Sequence, residues 1–186
     1  MANVYKPKFV DYEESLKTFT EWRKELIEAS EKDAEAFKTL FSAVKYMAAK
    51  ENTVAMDILA YFYKTGVPGL VPENYVRYIY WELLSAARGN ELAIEKIQFL
   101  IGYACDMIIQ SEDFPEIEYK NDIDDYNLLY VTGKAIAKMM VKNMEIYPVD
   151  LIELEDDFKP YKKEDSLKLR DDIDAAIPKA IEYLKS

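Results

Sequence analysis

Two runs of apolar residues at helical spacing, separated by a stretch that cannot be helical, lie between Ala55 and Ala93 and confine the chain to helical-hairpin architectures. In the first run, from about Thr53 to Lys64, Ala55, Leu59, Phe62 and Tyr63 share one helical face. Gly66 follows, the residue type best able to take the left-handed conformation that ends a helix. Val67, Pro68, Gly69 and Pro72 then interrupt any continuous helix. Pro72 suits a first helical turn, and from there Tyr75, Ile79, Leu83 and Ala86 recur at helical spacing to about Arg88, with Gly89 just past the end.

The unit resembles a Sel-one-like repeat, a branch of the tetratricopeptide-like helical repeats. That family pattern runs A-x-x-x-L-(G/A)-x-x-Y-x-x-G, V, a loop, then W-x-x-x-A-A-x-x-G-x-x-x-A. Its places are held here by Ala55, Leu59, Ala60, Tyr63, Gly66, Val67, Trp81, Ala86, Gly89 and Ala93, with Asn90 after the glycine. The chain departs from the pattern in its longer loop, GVPGLVPEN, and in lacking a leading G-x-G. The resemblance implies an all-α superhelix of hairpins that binds proteins or peptides and performs no chemistry.

A repeat should recur. A shift of 38 residues carries Ala48, Ala49, Asn52 and Ala55 onto Ala86, Ala87, Asn90 and Ala93, and Leu59, Phe62 and Tyr63 onto Ile97, Leu100 and Ile101. The full unit is therefore flanked by degenerate halves. LLYVTG, ending at Gly133, is a fainter echo, explained equally well by a small residue at a close helix contact.

Elsewhere, Asp11 and Glu14 resemble a capping box opening a helix through Tyr12, Leu16, Phe19, Trp22 and Leu26 toward Ser30. Phe37 to Lys50 forms the next helix. Further helices are expected over about 90–110, 124–144 and 163–184, the last kinked or divided at Pro178, with 147–160 mostly irregular. The chain thus reads as one all-α domain of seven helices over 1–186. It comprises an N-terminal pair (11–50), the repeat with its following half-repeat (53–110) and a C-terminal cap (111–186).

Composition narrows the function. The chain has no histidine, which removes the usual neutral-pH base and imidazole metal ligands. Its lone cysteine, Cys105, sits in an apolar helix and reads as a buried small hydrophobe. No phosphate-binding glycine loop occurs. Asp122, Asp124, Asp125 and Asn127 superficially suggest a calcium loop, but Asn127 and Gly133 stand where that loop needs glycine and glutamate, and helix capping is the simpler reading. The run Glu153, Glu155, Asp156 and Asp157 reads as a solvated charge cluster. A hydrolase working through two carboxylates stays formally open, although no pair is singled out. No cofactor or metal is expected. A net charge of −11 and four scattered arginines argue against nucleic acid, and no segment has the apolar length of a membrane span. With no signal-like N-terminus, the expected location is cytoplasmic.

In repeats of the resembled kind, the first helix of each hairpin lines a concave groove. The resemblance places Val54, Asp57, Ile58, Tyr61 and Lys64 there, and the 38-residue shift adds Leu92, Glu95, Lys96 and Phe99. The site expected for a protein or peptide partner is therefore Asp57, Ile58, Tyr61, Lys64, Glu95 and Phe99. The alternative is an acidic inhibitor or immunity-type protein that masks a basic toxin or nuclease.

Overall fold

The computed structural model describes residues 17–111, 125–152 and 162–186. Those residues form nine helices and no named strand: α1 (Phe19–Lys32), α2 (Ala34–Ala49), α3 (Thr53–Thr65), α4 (Tyr75–Ala87), α5 (Glu91–Lys96), α6 (Gln98–Ile109), α7 (Asp125–Asn143), α8 (Pro148–Leu151) and α9 (Lys163–Lys185). The fold is all-α, and no described helix is long and apolar enough to cross a membrane.

Contacts gather into two compact units, 1–81 with 148–162, and 82–147 with 163–186. The 53–110 stretch is shared between them, the division falling within α4. In the first unit α1, α2 and α3 touch one another and α8 touches α2; in the second, α6, α7 and α9 touch one another and α5 meets α6 and α7.

Local chemistry sets the ends of these helices. Thr18 is extended and completes a capping box with Glu21, whose carboxylate accepts the Thr18 N–H at 2.7 Å, so α1 begins at Phe19. The box expected at Asp11 and Glu14 lies outside the described residues. Asp33 alone separates α1 from α2, its side chain accepting the Glu35 N–H at 2.9 Å. Helix α4 starts later than Pro72 suggests, because Asn74 accepts the Arg77 N–H at 3.1 Å and fixes the first turn there.

The long loop between α3 and α4 is itself ordered by hydrogen bonds. Gly66 has φ 69° and ψ 166°, not left-handed helix but an extended positive-φ state that only glycine holds without strain. Val67 and Val71 exchange backbone bonds of 2.6 and 2.9 Å around a Pro68–Gly69 turn, and Gly69 has φ 74°, as a type II turn requires. The Asn74 N–H then returns to the Tyr63 carbonyl at 2.7 Å.

One corner occurs twice, 38 residues apart. Glu51 (φ 68°) and Gly89 (φ 85°) reverse the chain, and Asn52 (φ −73°, ψ 114°) and Asn90 (φ −69°, ψ 110°) follow in nearly the same conformation. The Asn side chains accept the Ala55 and Ala93 N–H groups at 3.0 and 3.3 Å. Backbone bonds Glu51 to Ala48 (3.0 Å) and Asn52 to Met47 (3.1 Å) match Gly89 to Ala86 (2.8 Å) and Asn90 to Ser85 (3.2 Å). Ala48, Ala55, Ala86 and Ala93 are all fully buried.

Two helices bear on the sequence-based expectation of where helices break. The 90–110 segment breaks at Ile97 (φ −100°, ψ 14°) into α5 and α6. Conversely, α9 runs through Pro178 undivided; one lost hydrogen bond is outweighed by the burial of Leu169, Ile173, Ala176 and Ala180 on one face. Within the stretch expected to be irregular, Pro148–Leu151 is a short helix. Gly133 is a close-contact glycine, since a Cβ there would lie 2.7 Å from Ile94 Cγ2 and 3.3 Å from Ile101 Cδ1.

Two thermal-unfolding comparisons test these points. Glu51→Gly relieves a positive φ and should stabilise by about 1 kcal/mol; a loss of stability would show that the corner is not strained. Gly133→Ala should destabilise by about 1–2 kcal/mol, overpacking against a β-branched neighbour exceeding the roughly 1 kcal/mol gain in helix propensity. An unchanged melting temperature would mean that α5 yields freely.

Candidate functional site

In the first unit, α3 is enclosed rather than presented. All six residues from Ala55 to Ala60 are buried, including Asp57 at 5% exposure and Ile58 at 0%. Both α1 and α2 pack on this helix, so its expected groove side is covered at these two positions. Tyr61 is half-buried and its ring is engaged internally: Phe19 meets it edge-on at 5.8 Å, and the Arg23 guanidinium lies 4.9 Å from its centroid. Lys64 is exposed, with its ammonium 5.1 Å from the Tyr78 ring centre. Of the four site residues expected on this helix, two are buried, Tyr61 is half-buried and Lys64 is exposed.

Beneath them lies an aromatic cluster. Phe37 stacks on Phe41 at 5.4 Å, and Phe62 meets both edge-on at 6.0 and 6.1 Å. Such pairs each contribute about 0.5–1.5 kcal/mol beyond area burial. Beside the cluster, Arg77 donates to the buried Tyr63 hydroxyl at 3.1 Å, and Lys45, only 3% exposed, places its amine 5.3 Å from the Phe41 ring centre. Burial, with the Arg77 charge adding to it, pushes the Lys45 amine down to about 6. Sequence reading did not find Lys45, because a lysine at a helical core position carries no distinguishing pattern.

The second unit carries the open surface. Phe99 is 63% exposed and Tyr103 72%, with Met107 38%. Spaced by four residues, they form a row on α6. The opposite face buries Ile101, Ala104, Cys105 and Ile108, so α6 is apolar on both sides. Leu92 on α5 is also exposed, and the ionised residues exposed along α5 and α6 are Glu91, Glu95, Lys96 and Asp106. Lys96 lies 3.2 Å from the buried Glu82 carboxylate. Of the residues expected here, Glu95 and Phe99 are both exposed; Tyr103 and Met107 were not among the expected residues, although continuing the four-residue step from Phe99 reaches them.

The remaining chemical candidates add little. Cys105 is fully buried, and burial followed by the Asp106 charge pushes its thiol up to about 12, the opposite of a reactive thiolate. The Asp122 to Asn127 cluster has no described side chains, and the Glu153 to Asp157 run lies outside the described residues. Among the described residues no three carboxylate or thiol side chains gather closely enough to hold a metal.

Lys45 provides a test with a definite sign. Its amine titrates near 10.4 when unfolded and near 6 when folded, so between those values the unfolded chain holds a proton that the folded chain lacks. The cost of burial is full below about pH 6 and lifts as pH rises toward 10. Lys45→Met should therefore stabilise at pH 7 by about 1–3 kcal/mol, the gain shrinking by pH 10 in paired denaturant titrations. A gain independent of pH would contradict the buried neutral amine.

No protein-family model matches the chain, no curated protein matches it, and no solved structure matches it, so the functional argument rests on the geometry of the chain itself.

Proposed function

We propose that the chain is a non-enzymatic protein-interaction module of Sel-one-like helical-repeat character, binding a peptide or protein segment on the surface of its second unit. The observation that carries the binding role is the exposed row Phe99, Tyr103 and Met107 on a helix whose other face is already buried. An isolated exposed aromatic is ordinary, but three large side chains in register on one helix are the kind of patch that partners cover. What supports the repeat character is the corner recurring at 38 residues, with the same positive φ, the same Asn cap and the same buried alanines. Each unit also contains a trio of mutually touching helices, as stacked hairpins do.

In this reading Phe99 and Tyr103 are the anchors, with Glu95 beside them setting charge preference. Asp57, Ile58 and Tyr61 serve the interior of the first unit. The acidic-inhibitor alternative draws on the −11 net charge and the exposed Glu91, Glu95 and Asp106. Salt separates the two readings, because masking by charge fades as ionic strength rises whereas aromatic burial persists.

Phe99→Ala with Tyr103→Ala should leave the melting temperature within about 1 °C, since both side chains are mostly exposed. The same double variant should lose a partner that wild type captures from source-cell lysate at both low and high salt. A partner retained by the variant and released by salt would replace this reading with charge masking.

A further inference from the structure

We propose that the occupant of the α6 row is a basic amphipathic helix of another protein, with its apolar stripe on Phe99, Tyr103 and Met107 and its lysines or arginines toward Glu91, Glu95 and Asp106. The inference rests on the interaction reading above and adds the chemistry of the partner. Three observations specify it. The exposed row follows the four-residue step of a helix and lies within the single element α6. Side chains so arranged form a ridge that fits the groove of a second helix more closely than an extended strand, whose residues alternate every second position.

The second observation is charge. Along α5 and α6 the exposed acids are Glu91, Glu95 and Asp106, against a single exposed base, Lys96. The Lys96 ammonium is directed to Glu82 at 3.2 Å, which leaves the field over the row acidic. The bonds from Ile97 to Ala93 (3.1 Å) and from Ile101 to Ile97 (3.1 Å) continue the helical register across the Ile97 break and keep Glu95 about one turn before Phe99. The third observation removes the simplest competitor. A second copy of this chain docking on the same face would set Glu91, Glu95 and Asp106 against their like, in a molecule already carrying −11.

The test uses the intact chain and synthetic peptides of about 18 residues. One contains only leucine and lysine, with leucines at i, i+3, i+4 and i+7; a second has the same composition scrambled; a third replaces lysine by glutamate. Binding is followed by titration calorimetry and by amide chemical shifts of the labelled chain. The amphipathic basic peptide should bind at least about tenfold more tightly than either control, shift the amides of α6, and lose about tenfold in affinity to the Phe99→Ala, Tyr103→Ala variant. Neutralising Glu91, Glu95 and Asp106 to Gln, Gln and Asn should flatten the salt dependence while the apolar contribution remains.

Equal binding of the basic and scrambled peptides, untouched by the double variant, would overturn the proposal in favour of bulk charge attraction. Preference for the glutamate peptide would overturn the charge assignment yet leave the row as an interaction surface. No peptide binding, together with concentration-dependent dimerisation abolished by the double variant, would assign the face to a second copy. No binding and no dimerisation, with the lysate partner still lost in the variant, would reject the helix while retaining the interaction module.

Discussion

The corner built from a positive-φ residue and a capping asparagine is the constraint on which the helical arrangement depends. At Glu51–Asn52 and Gly89–Asn90 one helix ends and the next begins within three residues, and the alanines on either side are fully buried. A side chain larger than a methyl at those alanines would have to displace the neighbours that bury them. The asparagine satisfies backbone donors that the reversal would otherwise leave unpaired. Backbone geometry and core packing are thus set by the same few residues.

Around that constraint the two units use different interiors. The first is aromatic, with Phe37, Phe41 and Phe62 in mutual ring contact and Tyr63 tied to Arg77. The second is aliphatic and close-packed, with Ile94 and Ile101 against the bare backbone of Gly133 and Ile136, Ala137 and Met140 filling the same helix face. Aromatic rings tolerate a polar neighbour at their edges or faces, which gives the first unit room for Lys45 and Arg77. An aliphatic interior packed around a glycine has no such allowance, and a buried carboxylate of the second unit, Glu82, is met instead by the Lys96 ammonium at 3.2 Å.

Helix identity was legible because it depends on local spacing. Residues 53–64, 124–144 and 163–184 lie within two residues of the observed helix ends, and the caps at Asn52 and Asn90 stand where the 38-residue shift aligns them. Less legible was anything set by competition between similar local signals. T-F-T-E forms a capping box at Thr18 that the sequence reading passed over, because the same signal is offered by D-Y-E-E, which lies outside the described residues. The break at Ile97 occurs in a sequence with no glycine or proline to announce it. Burial was hardest of all. A periodicity argument assigns one face to the core, but α3 is surrounded, and Asp57 and Ile58 are covered despite their place on its second face.

The single thiol of the chain has a use that its chemistry alone does not suggest. Cys105 is fully buried on α6, beneath the helix whose outer row is exposed, and its proton is held up to about 12. A disulfide reagent can reach it only when the second unit opens, so the rate of labelling counts those openings directly. A ligand that clamps α6 from outside would slow the count in proportion to its occupancy. The protein therefore carries a native clock for its own breathing, readable without changing a residue.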